Sequence, residues 1–401
     1  MLTQWHARDQ QYLMNTYNRL PIAISHARGN TLYDTEGNEY LDLFTGLAVN
    51  VLGHTHPAVM EELNRQGGSF LHISNKFLNP PAIRLAERLV KHSIDGKVFF
   101  GNSGAEATES AIKLVHKWTQ EQGEGKRGFV VMKKSFHGRT LGAVRLTRQP
   151  GVYQDYPQPD LPVFEVEPNQ PEELRRVCEQ ENPAAILAEP ILGSGGVQPL
   201  DTSYLQEMAR LCREQGRLLL MDEIQTGIGR TGTLFAYQHA GLQPDLILFA
   251  KGVGGGLPLG GIIAGRKLAD LFHPGDHGTT FAPSPLSAAL GNAVLDVLLE
   301  QGGLEEGQKN ADYLWNHLRR LQKYLPDAIG EIRGRGMMIG IDTFLTPAQA
   351  KQLQLDLLQD GVLVDIAQQT VIRLLPPLTL TPDESDRFAD RLERRLKQTF
   401  S

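Results

Sequence analysis

The sequence contains few cysteines, no excess of positive charge and no long apolar run. Cys178 and Cys212 are the only cysteines among its 401 residues, which excludes a disulfide scaffold and a zinc site of four thiolates. The 40 Lys and Arg residues are outnumbered by 46 Asp and Glu, so the charge indicates neither nucleic-acid binding nor attachment to an anionic membrane. No apolar run reaches the ~18 residues of a membrane span, and the first residues lack a signal-peptide pattern. We therefore expect a soluble, cytoplasmic protein.

The sequence does contain a regular alternation of short apolar stretches and longer segments with helical periodicity. This alternation is typical of βαβ units, in which helices cover both faces of a mostly parallel sheet and the strands are apolar throughout. Strands are predicted over residues 97–100, 129–132, 184–188, 218–221, 246–249 and 261–264. Helices are predicted between them over residues 105–120, 171–180 and 200–215.

After about residue 300 the pattern changes to that of a smaller α+β domain. The predicted elements are a helix over 304–324, a Gly-Arg-rich strand over 332–341, a helix over 347–358, two strands over 362–366 and 371–374, and a helix over 383–399. Near the start of the chain, residues 27–43 are predicted to form a hairpin with Thr35-Glu36-Gly37-Asn38 as its turn. We therefore divide the chain into an N-terminal segment joining the small domain (1–50), a large domain (51–300) and a C-terminal small domain (301–401).

Three charged residues, Glu189, Asp222 and Lys251, stand where three predicted strands end, about one βα unit apart. One such residue is often a solvated strand end. Three in successive units indicate a ligand site, because open α/β sheets bind ligands at the carboxyl ends of their strands.

Lys251 is the most informative of the three. It follows an apolar strand and precedes the glycine-rich residues 252–256, where desolvation lowers the pKa of a lysine and makes it a nucleophile. The chemistry that needs such a lysine is Schiff-base formation with a carbonyl cofactor such as pyridoxal phosphate (PLP). Asp222 is suitably placed to pair with the pyridinium nitrogen of that cofactor.

Residues 101–107 and two arginines are further candidates. The stretch Gly-Asn-Ser-Gly-Ala-Glu-Ala follows a strand and opens a helix, so its N–H groups can bind a phosphate, although Ser103 is equally suited to be an N-cap. Arg139 and Arg373 are candidates for binding carboxylates. Arg373, flanked by apolar residues, either makes a buried ion pair or binds an anionic ligand. Phe136 either stacks on a cofactor ring or belongs to the core.

These motifs together resemble the class III (ω-amino) aminotransferases of PLP fold type I, and within them the acetylornithine aminotransferases. The most specific block is Asp222-Glu223-Ile224-Gln225-Thr226-Gly227 with Lys251 at its spacing. Further matching blocks are 53–57, 102–107, 136–142, 189–190, 221–232, 248–261, 277–280 and 372–377. The resemblance covers nearly the whole chain. It implies a large domain with a mostly parallel seven-stranded sheet covered by helices, and a smaller α+β domain formed by both chain ends.

The resemblance also implies a role for each matching residue. Lys251 would bind PLP covalently and then transfer the proton, and Asp222 would keep the pyridine nitrogen protonated. Arg139 would bind the distal carboxylate of the substrate, and Arg373 the α-carboxylate of glutamate or 2-oxoglutarate. Thr280 would reach the phosphate in the partner subunit, which implies a homodimer with shared active sites. The remaining implied contacts are Ser103, Gly104 and Ala105 with the phosphate, Phe136 with the ring face, Gln225 with the ring hydroxyl and Glu189 with the substrate.

The implied reaction is transfer of the δ-amino group of N-acetylornithine to 2-oxoglutarate in arginine biosynthesis. Ser194 departs from the family, which usually has a glutamate at this position that pairs with the glutamate-binding arginine. Thr108 replaces a usual asparagine, and Ala-Pro-Ser-Pro at 282–285 replaces Gly-Gly-Asn-Pro. These changes concern the substrate rather than the cofactor, so succinylornithine, ornithine, 4-aminobutyrate and LysW-linked lysine remain alternative amino donors.

Other classes of protein are less compatible with these residues. A PLP aminomutase or racemase would use the same cofactor without a keto-acid acceptor, and a non-catalytic relative would not need Lys251 and Asp222. An NAD-linked oxidoreductase is disfavoured because the glycines at 254–256 lack an acidic partner at the required spacing. The two histidines of residues 53–57 lack a third ligand, so no metal site is predicted.

Overall fold

A computed structural model describes residues 2–122 and 125–400. The chain begins with a helix and a small antiparallel group of strands, and then runs through two helices into the main sheet. These elements are α1 (Leu2–Tyr12), β1 (Ile24–Arg28), β2 (Thr31–Asp34), β3 (Glu39–Asp42), the single turn α2 (Thr45–Ala48), α3 (Pro57–Gly67) and α4 (Pro80–Lys91). The predicted turn at 35–38 connects β2 to β3, and β1 extends the predicted hairpin on its other side.

The central part of the chain alternates strands and helices as the sequence predicts. Its elements are β4 (Gly96–Gly101), α5 (Gly104–Gln122), β5 (Phe129–Met132), α6 (Leu141–Leu146), α7 (Pro150–Tyr153), β6 (Val163–Val166), α8 (Pro171–Glu181), β7 (Ala185–Ala188), β8 (Ile191–Leu192), β9 (Gln198–Pro199), α9 (Thr202–Glu214), β10 (Leu218–Asp222), β11 (Leu246–Phe249) and β12 (Gly260–Gly265). Short 3₁₀ turns occupy Ala236–Ala240 and Lys251–Gly254. All six predicted strands are present, with ends that differ by at most one residue.

Seven of these strands form the main sheet, in the order β4-β12-β11-β10-β7-β5-β6. β12 is antiparallel to both of its neighbours, whereas the other strands run parallel to one another. Strands β5, β7, β10, β11 and β12 are buried along their whole length, because helices cover both faces. The predicted α/β class with a mostly parallel seven-stranded sheet is therefore confirmed.

The C-terminal part of the chain adds helices and strands that are two to seven residues long. Its elements are α10 (Pro285–Leu295), a π-helical turn (Asp296–Glu300), α11 (Gly303–Tyr324), β13 (Ile329–Arg335), β14 (Met338–Thr343), α12 (Pro347–Gln359), β15 (Val362–Leu363), β16 (Asp365–Ala367), β17 (Val371–Leu374) and α13 (Pro382–Phe400). One sheet has the order β13-β14-β17-β16, and a second has the order β1-β2-β3-β15.

Two predicted strands of this part are wrong. Residues 332–341 form not one strand but the hairpin of β13 and β14, because the chain reverses at Gly336, whose φ of +57° suits glycine. Residues 362–366 are divided at Val364. β15 pairs in parallel with β3, and β16 pairs antiparallel with β17.

The two chain ends meet in one sheet through the pairing of β3 with β15. This contact supports the proposal that residues 1–50 associate with the C-terminal domain, and the boundaries at residues 50 and 300 stay predictions. Within the described part of the chain, every helix is too short or too polar to span a bilayer.

Candidate active site

A cavity of about 500 Å³ lies at the carboxyl edge of the main sheet. Glu189 directly follows β7, Asp222 is the last residue of β10, and Lys251 comes two residues after the end of β11. These three strands are neighbours in the sheet, and all three side chains line the cavity. The structure therefore brings together the three charged residues that the sequence singles out.

Lys251 has an unusual backbone conformation as well as an unusual environment. Its φ is +52°, a left-handed value that costs a non-glycine residue about 1–3 kcal/mol and persists where the surroundings enforce it. Burial lowers the pKa of the Lys251 ammonium to about 8, against the opposing effect of the Asp222 carboxylate, and the positive charge of Arg373 lowers it further. At neutral pH, Lys251 therefore has a larger neutral, nucleophilic fraction than an ordinary lysine.

Asp222 is held in place by a histidine. The Asp222 side chain is buried, and its Oδ2 atom accepts a hydrogen bond from Nδ1 of His137 at 2.7 Å, while Oδ1 accepts one from the Ile224 N–H at 3.1 Å. His137 is only 1% exposed, and its carbonyl oxygen accepts a hydrogen bond from Oγ1 of Thr108 at 2.7 Å. The residue that departs from the family asparagine thus supports the histidine that orients Asp222.

The sequence reasoning missed His137, although it is adjacent to Phe136 in a stretch already identified. Its ring lies entirely inside the protein, and Nε2 has no hydrogen-bond partner. The available signal is a titratable residue in the loop that follows the fully apolar strand β5, at the same sheet edge as Asp222. One nitrogen of the ring, Nδ1, is hydrogen-bonded to Asp222 and so orients the Asp222 carboxylate.

Glu189 connects two loops at the cavity. Its Oε1 atom accepts a hydrogen bond from the Phe136 N–H at 2.9 Å and its Oε2 atom one from the Gly193 N–H at 3.1 Å. Burial raises the pKa of Glu189 to about 7; the negative charge of Asp222 adds to this shift, and the electrostatic interaction with His137 opposes it. Glu189 therefore positions the loops that carry Phe136 and Ser194.

The N-terminus of α5 opens onto the cavity. Ser103, Gly104 and Ala105 line it, and Oγ of Ser103 accepts a hydrogen bond from the Glu106 N–H at 3.2 Å, so Ser103 is a helix N-cap in this structure. A Cβ atom on Gly104 would lie only 2.9 Å from Cδ1 of Ile224. The backbone here is closely packed, and its N–H groups and helix dipole favour an anion.

Phe136, Gln225 and Arg139 line the wall of the cavity. Phe136 and Gln225 are half-buried, and Oε1 of Gln225 is buried without a hydrogen-bond partner. A Cβ atom on Gly193 would collide with that oxygen. The exposed Arg139 guanidinium lies 6.0 Å from the centre of the Phe136 ring. This wall combines an aromatic face, an unpaired amide oxygen and a cation that faces solvent.

Two predicted site residues do not line this cavity. Arg373 is buried on β17 and forms an ion pair with Asp365, so of the two alternatives for Arg373 the structure contains the ion pair. Thr280 is exposed, and the preceding Thr279 accepts a hydrogen bond from Nδ2 of Asn102 at 3.0 Å. Among the described residues, no group of three or more His, Cys, Asp or Glu side chains is arranged to bind a metal ion.

The family model for Aminotransferase class-III matches residues 12–396 of this chain. The chain belongs to the class-III aminotransferases. This class-III aminotransferase is 41% identical to an acetylornithine aminotransferase of Caldanaerobacter subterraneus subsp. tengcongensis, over 97% of this chain and 98% of the relative. It is 38% identical to a succinylornithine transaminase of Photorhabdus laumondii over 96% of each chain.

Solved structures agree with this membership. The crystal structure of an ornithine aminotransferase from Toxoplasma gondii ME49 matches this class-III aminotransferase with a TM-score of 0.94 at 29% identity, over 100% of this chain and 96% of that chain. The fold type I architecture that the sequence resemblance implies is therefore confirmed. The cavity at the carboxyl edge of the sheet is the site at which this fold positions charged side chains from neighbouring strands.

Proposed function

We propose that this class-III aminotransferase uses PLP to transfer the δ-amino group of N-acetylornithine to 2-oxoglutarate, giving N-acetylglutamate semialdehyde and glutamate for arginine biosynthesis. The observation that carries the proposal is Lys251, with its lowered pKa, in one cavity with Asp222 and an exposed arginine, Arg139. Similarity to an acetylornithine aminotransferase over nearly the full length of both chains supports the choice of donor.

The residues of the cavity fit PLP. The open N-terminus of α5 suits the phosphate. The volume of the cavity, about 500 Å³, is within the usual range of about 300–1,000 Å³ for small-molecule sites. The unpartnered Oε1 of Gln225 shows that its amide has hydrogen-bonding capacity left for a ligand. When bound, PLP supplies an electron sink for the negative charge that develops on the carbon bearing the amine.

Lys251 and Asp222 have complementary tasks in the proposed reaction. The neutral Lys251 amine would take the proton from the carbon that bears the substrate amino group and, as the ammonium, would give it back on the other side of the nitrogen, a 1,3 shift. Asp222 would place a negative charge beside the pyridine nitrogen of bound PLP, and His137 holds that carboxylate through the contact between Nδ1 and Oδ2. The proton therefore moves over a short distance in a site whose charges are already oriented.

Arg139 is proposed to bind the α-carboxylate of N-acetylornithine. Its guanidinium faces the open side of the cavity, so a donor that places its δ-amino group at Lys251 extends its carboxylate toward Arg139. Arg373 is proposed to bind the α-carboxylate of glutamate or 2-oxoglutarate. Glu189, buried and hydrogen-bonded to two loops, is proposed to act on the substrate through the positions of those loops.

We further propose a homodimer in which Thr280 contacts the phosphate in the partner's site. Thr280 is exposed, and Phe281 next to it exposes 67% of its surface. Asn75 ties this segment to residues 71–78 by hydrogen bonds to the carbonyl oxygens of Thr279 and Ala282. The large apolar side chains Leu71, Phe77 and Leu78 are exposed there as well. Large exposed apolar side chains on two connected segments suit contact with a second copy.

The experiment that tests the proposed donor is an absorbance spectrum of the PLP-loaded enzyme without an acceptor. N-acetylornithine, succinylornithine, ornithine and 4-aminobutyrate are added separately, and we expect N-acetylornithine to bleach the cofactor band fastest and 2-oxoglutarate to restore it. A different fastest donor would keep the transaminase and change its substrate. Racemisation or migration of the amine without 2-oxoglutarate would contradict the transaminase itself. The dimer is tested by light scattering, in which a monomeric mass would contradict it.

A further inference from the structure

Arg373 already has a carboxylate partner within the chain. Its Nε atom donates to Oδ2 of Asp365 at 2.8 Å, and its Nη2 atom lies 2.6 Å from the same oxygen. Asp365 stands directly opposite Arg373 in the pairing of β16 with β17. Two guanidinium nitrogens on one carboxylate oxygen form a strong, charge-assisted contact.

The burial of this pair makes the contact difficult to replace. The Arg373 side chain is 9% exposed and that of Asp365 is 23% exposed, so water screens their attraction less than at the surface. A substrate α-carboxylate that binds the edge formed by Nε and Nη2 of Arg373 must therefore displace the Asp365 carboxylate. One that binds the remaining guanidinium donors shares the positive charge with Asp365.

Among the residues that the structure describes, Asp365 provides the one carboxylate in an ion pair with Arg373. Gly340 faces Arg373 on β14, and a Cβ atom on Gly340 would lie 2.9 Å from Cβ of Val197. The loop that carries the uncharged Ser194 thus packs against this strand. The carboxylate that neutralises Arg373 in this structure is that of Asp365.

We propose that Asp365 is a specificity-determining residue that competes with the α-carboxylate of glutamate or 2-oxoglutarate for Arg373. With an ω-amino donor bound, no substrate carboxylate reaches Arg373, and Asp365 neutralises its buried charge. With a dicarboxylate bound, Asp365 releases Arg373. The inference rests on the proposed function in assigning Arg373 to the acceptor.

The released carboxylate has space to occupy. Asp365 also lines a separate cavity of about 830 Å³, together with the cationic side chains of Lys351 and Arg19. A rotation of the Asp365 side chain toward this cavity frees Arg373 without moving the strand. Asp42 lines the same cavity and Arg19 is paired with Asp9, so hydration rather than a new ion pair would compensate the displaced carboxylate.

The first test measures binding of glutarate, an unreactive dicarboxylate, to the PLP-loaded enzyme by calorimetry. Asp365→Asn keeps the size of the side chain and one acceptor oxygen but removes the competing charge, so we expect glutarate to bind about tenfold more tightly. Asp365→Glu retains a competing carboxylate and should bind glutarate no more than about threefold differently from the parent enzyme.

The matched control is Asp360→Asn. Asp360 accepts hydrogen bonds from Nε and Nη2 of Arg395 at 2.7 and 2.9 Å, and its side chain is 13% exposed. Asp360 also forms an ion pair with Arg394 at 2.8 Å. It is thus a partly buried aspartate with arginine partners that does not line the active-site cavity, and its loss should leave glutarate affinity unchanged. An equal gain in both asparagine variants would show a general charge effect and would overturn the proposal.

The second test measures the two half-reactions separately. Asp365→Asn should increase the second-order rate constant for glutamate about tenfold and change that for N-acetylornithine by less than about threefold. Unchanged glutarate affinity, or equal changes in both half-reactions, would overturn the role of Asp365. If the parent enzyme does not react with N-acetylornithine, the proposed donor fails, while the glutarate comparison still decides between Asp365 and its control.

Discussion

The cavity has a floor, formed by Asp222, His137 and Glu189, and a rim, formed by Arg139 and Ser194. Each floor side chain is at most 6% exposed and is hydrogen-bonded within the chain. At the rim, Arg139 is exposed and Ser194 is half-buried. The floor is therefore rigid before any ligand arrives, whereas the rim acquires its contacts from the ligand.

This difference separates the choice of chemistry from the choice of substrate. The floor takes its positions from the ends of neighbouring parallel strands, so it changes only if the sheet changes. The rim depends on single side chains that little else in the fold requires. Floor substitutions should therefore impair every substrate alike, and rim substitutions should impair one substrate selectively.

The largest effect is expected for Lys251→Ala. Loss of the amine removes both the nucleophile and the general base, so turnover should fall by about 10⁴-fold for every donor. Turnover is measured with N-acetylornithine and with glutamate, and cofactor content is measured by absorbance after denaturation. A variant that contains PLP and retains more than a few per cent of parental turnover would contradict the role of Lys251.

Asp222→Asn should have the next largest effect. The amide retains the shape and loses the charge that stabilises the protonated pyridine nitrogen, so kcat should fall by about 10²–10³-fold with both donors. A fall in kcat that differs more than severalfold between N-acetylornithine and glutamate would contradict the distinction between floor and rim. Thermal unfolding serves as the control that the buried His137 contact has not been lost with the fold.

Arg139→Gln tests the rim itself. Removal of a charged hydrogen bond to the donor carboxylate should raise KM for N-acetylornithine by about 10- to 100-fold and leave kcat within about threefold. 4-Aminobutyrate, whose carboxylate lies nearer to its amine than that of N-acetylornithine, serves as the second donor in the same measurement. A comparable fall in kcat for all donors would place Arg139 with the floor.

The smallest effect is a pH dependence of cofactor loading. Because burial lowers the pKa of Lys251 from 10.5 to about 8, the neutral amine is abundant above about pH 8 and scarce below it. The rate of covalent PLP incorporation into cofactor-free enzyme should therefore rise about tenfold from pH 7 to pH 9 and then level off. A rate that continues to rise to pH 10.5 would show an ordinary lysine.

Most of the main sheet could be predicted from sequence because its strands are buried on both faces. The exception is β6, a four-residue edge strand in which the exposed Glu165 interrupts the apolar pattern. The sequence predicts one strand where β13 and β14 form a hairpin, because the glycines resemble an interruption within a strand rather than a turn. The division at Val364 could not be predicted, since it depends on which sheets are nearby rather than on the local sequence.

The site could be predicted in part for a similar reason. Strand ends and motif spacing identified Lys251, Asp222 and Glu189, which the structure places in one cavity. The contact between His137 and Asp222 joins residues 85 positions apart, and spacing alone does not reveal it. The ion pair between Arg373 and Asp365 depends on the pairing of β16 with β17. The sequence predicts a single strand over residues 362–366 and therefore does not reveal this pairing.

The division of residues 362–366 at Val364 has a consequence for how this enzyme can evolve. Leu363 is paired with Asp42 of β3, whereas Asp365, two residues later, is paired with Arg373 of β17. A substitution in β3 that displaces β15 therefore also displaces the carboxylate beside Arg373. We expect lineages to diverge in their preference for amino donors through such remote changes, while Lys251 and Asp222 stay the same.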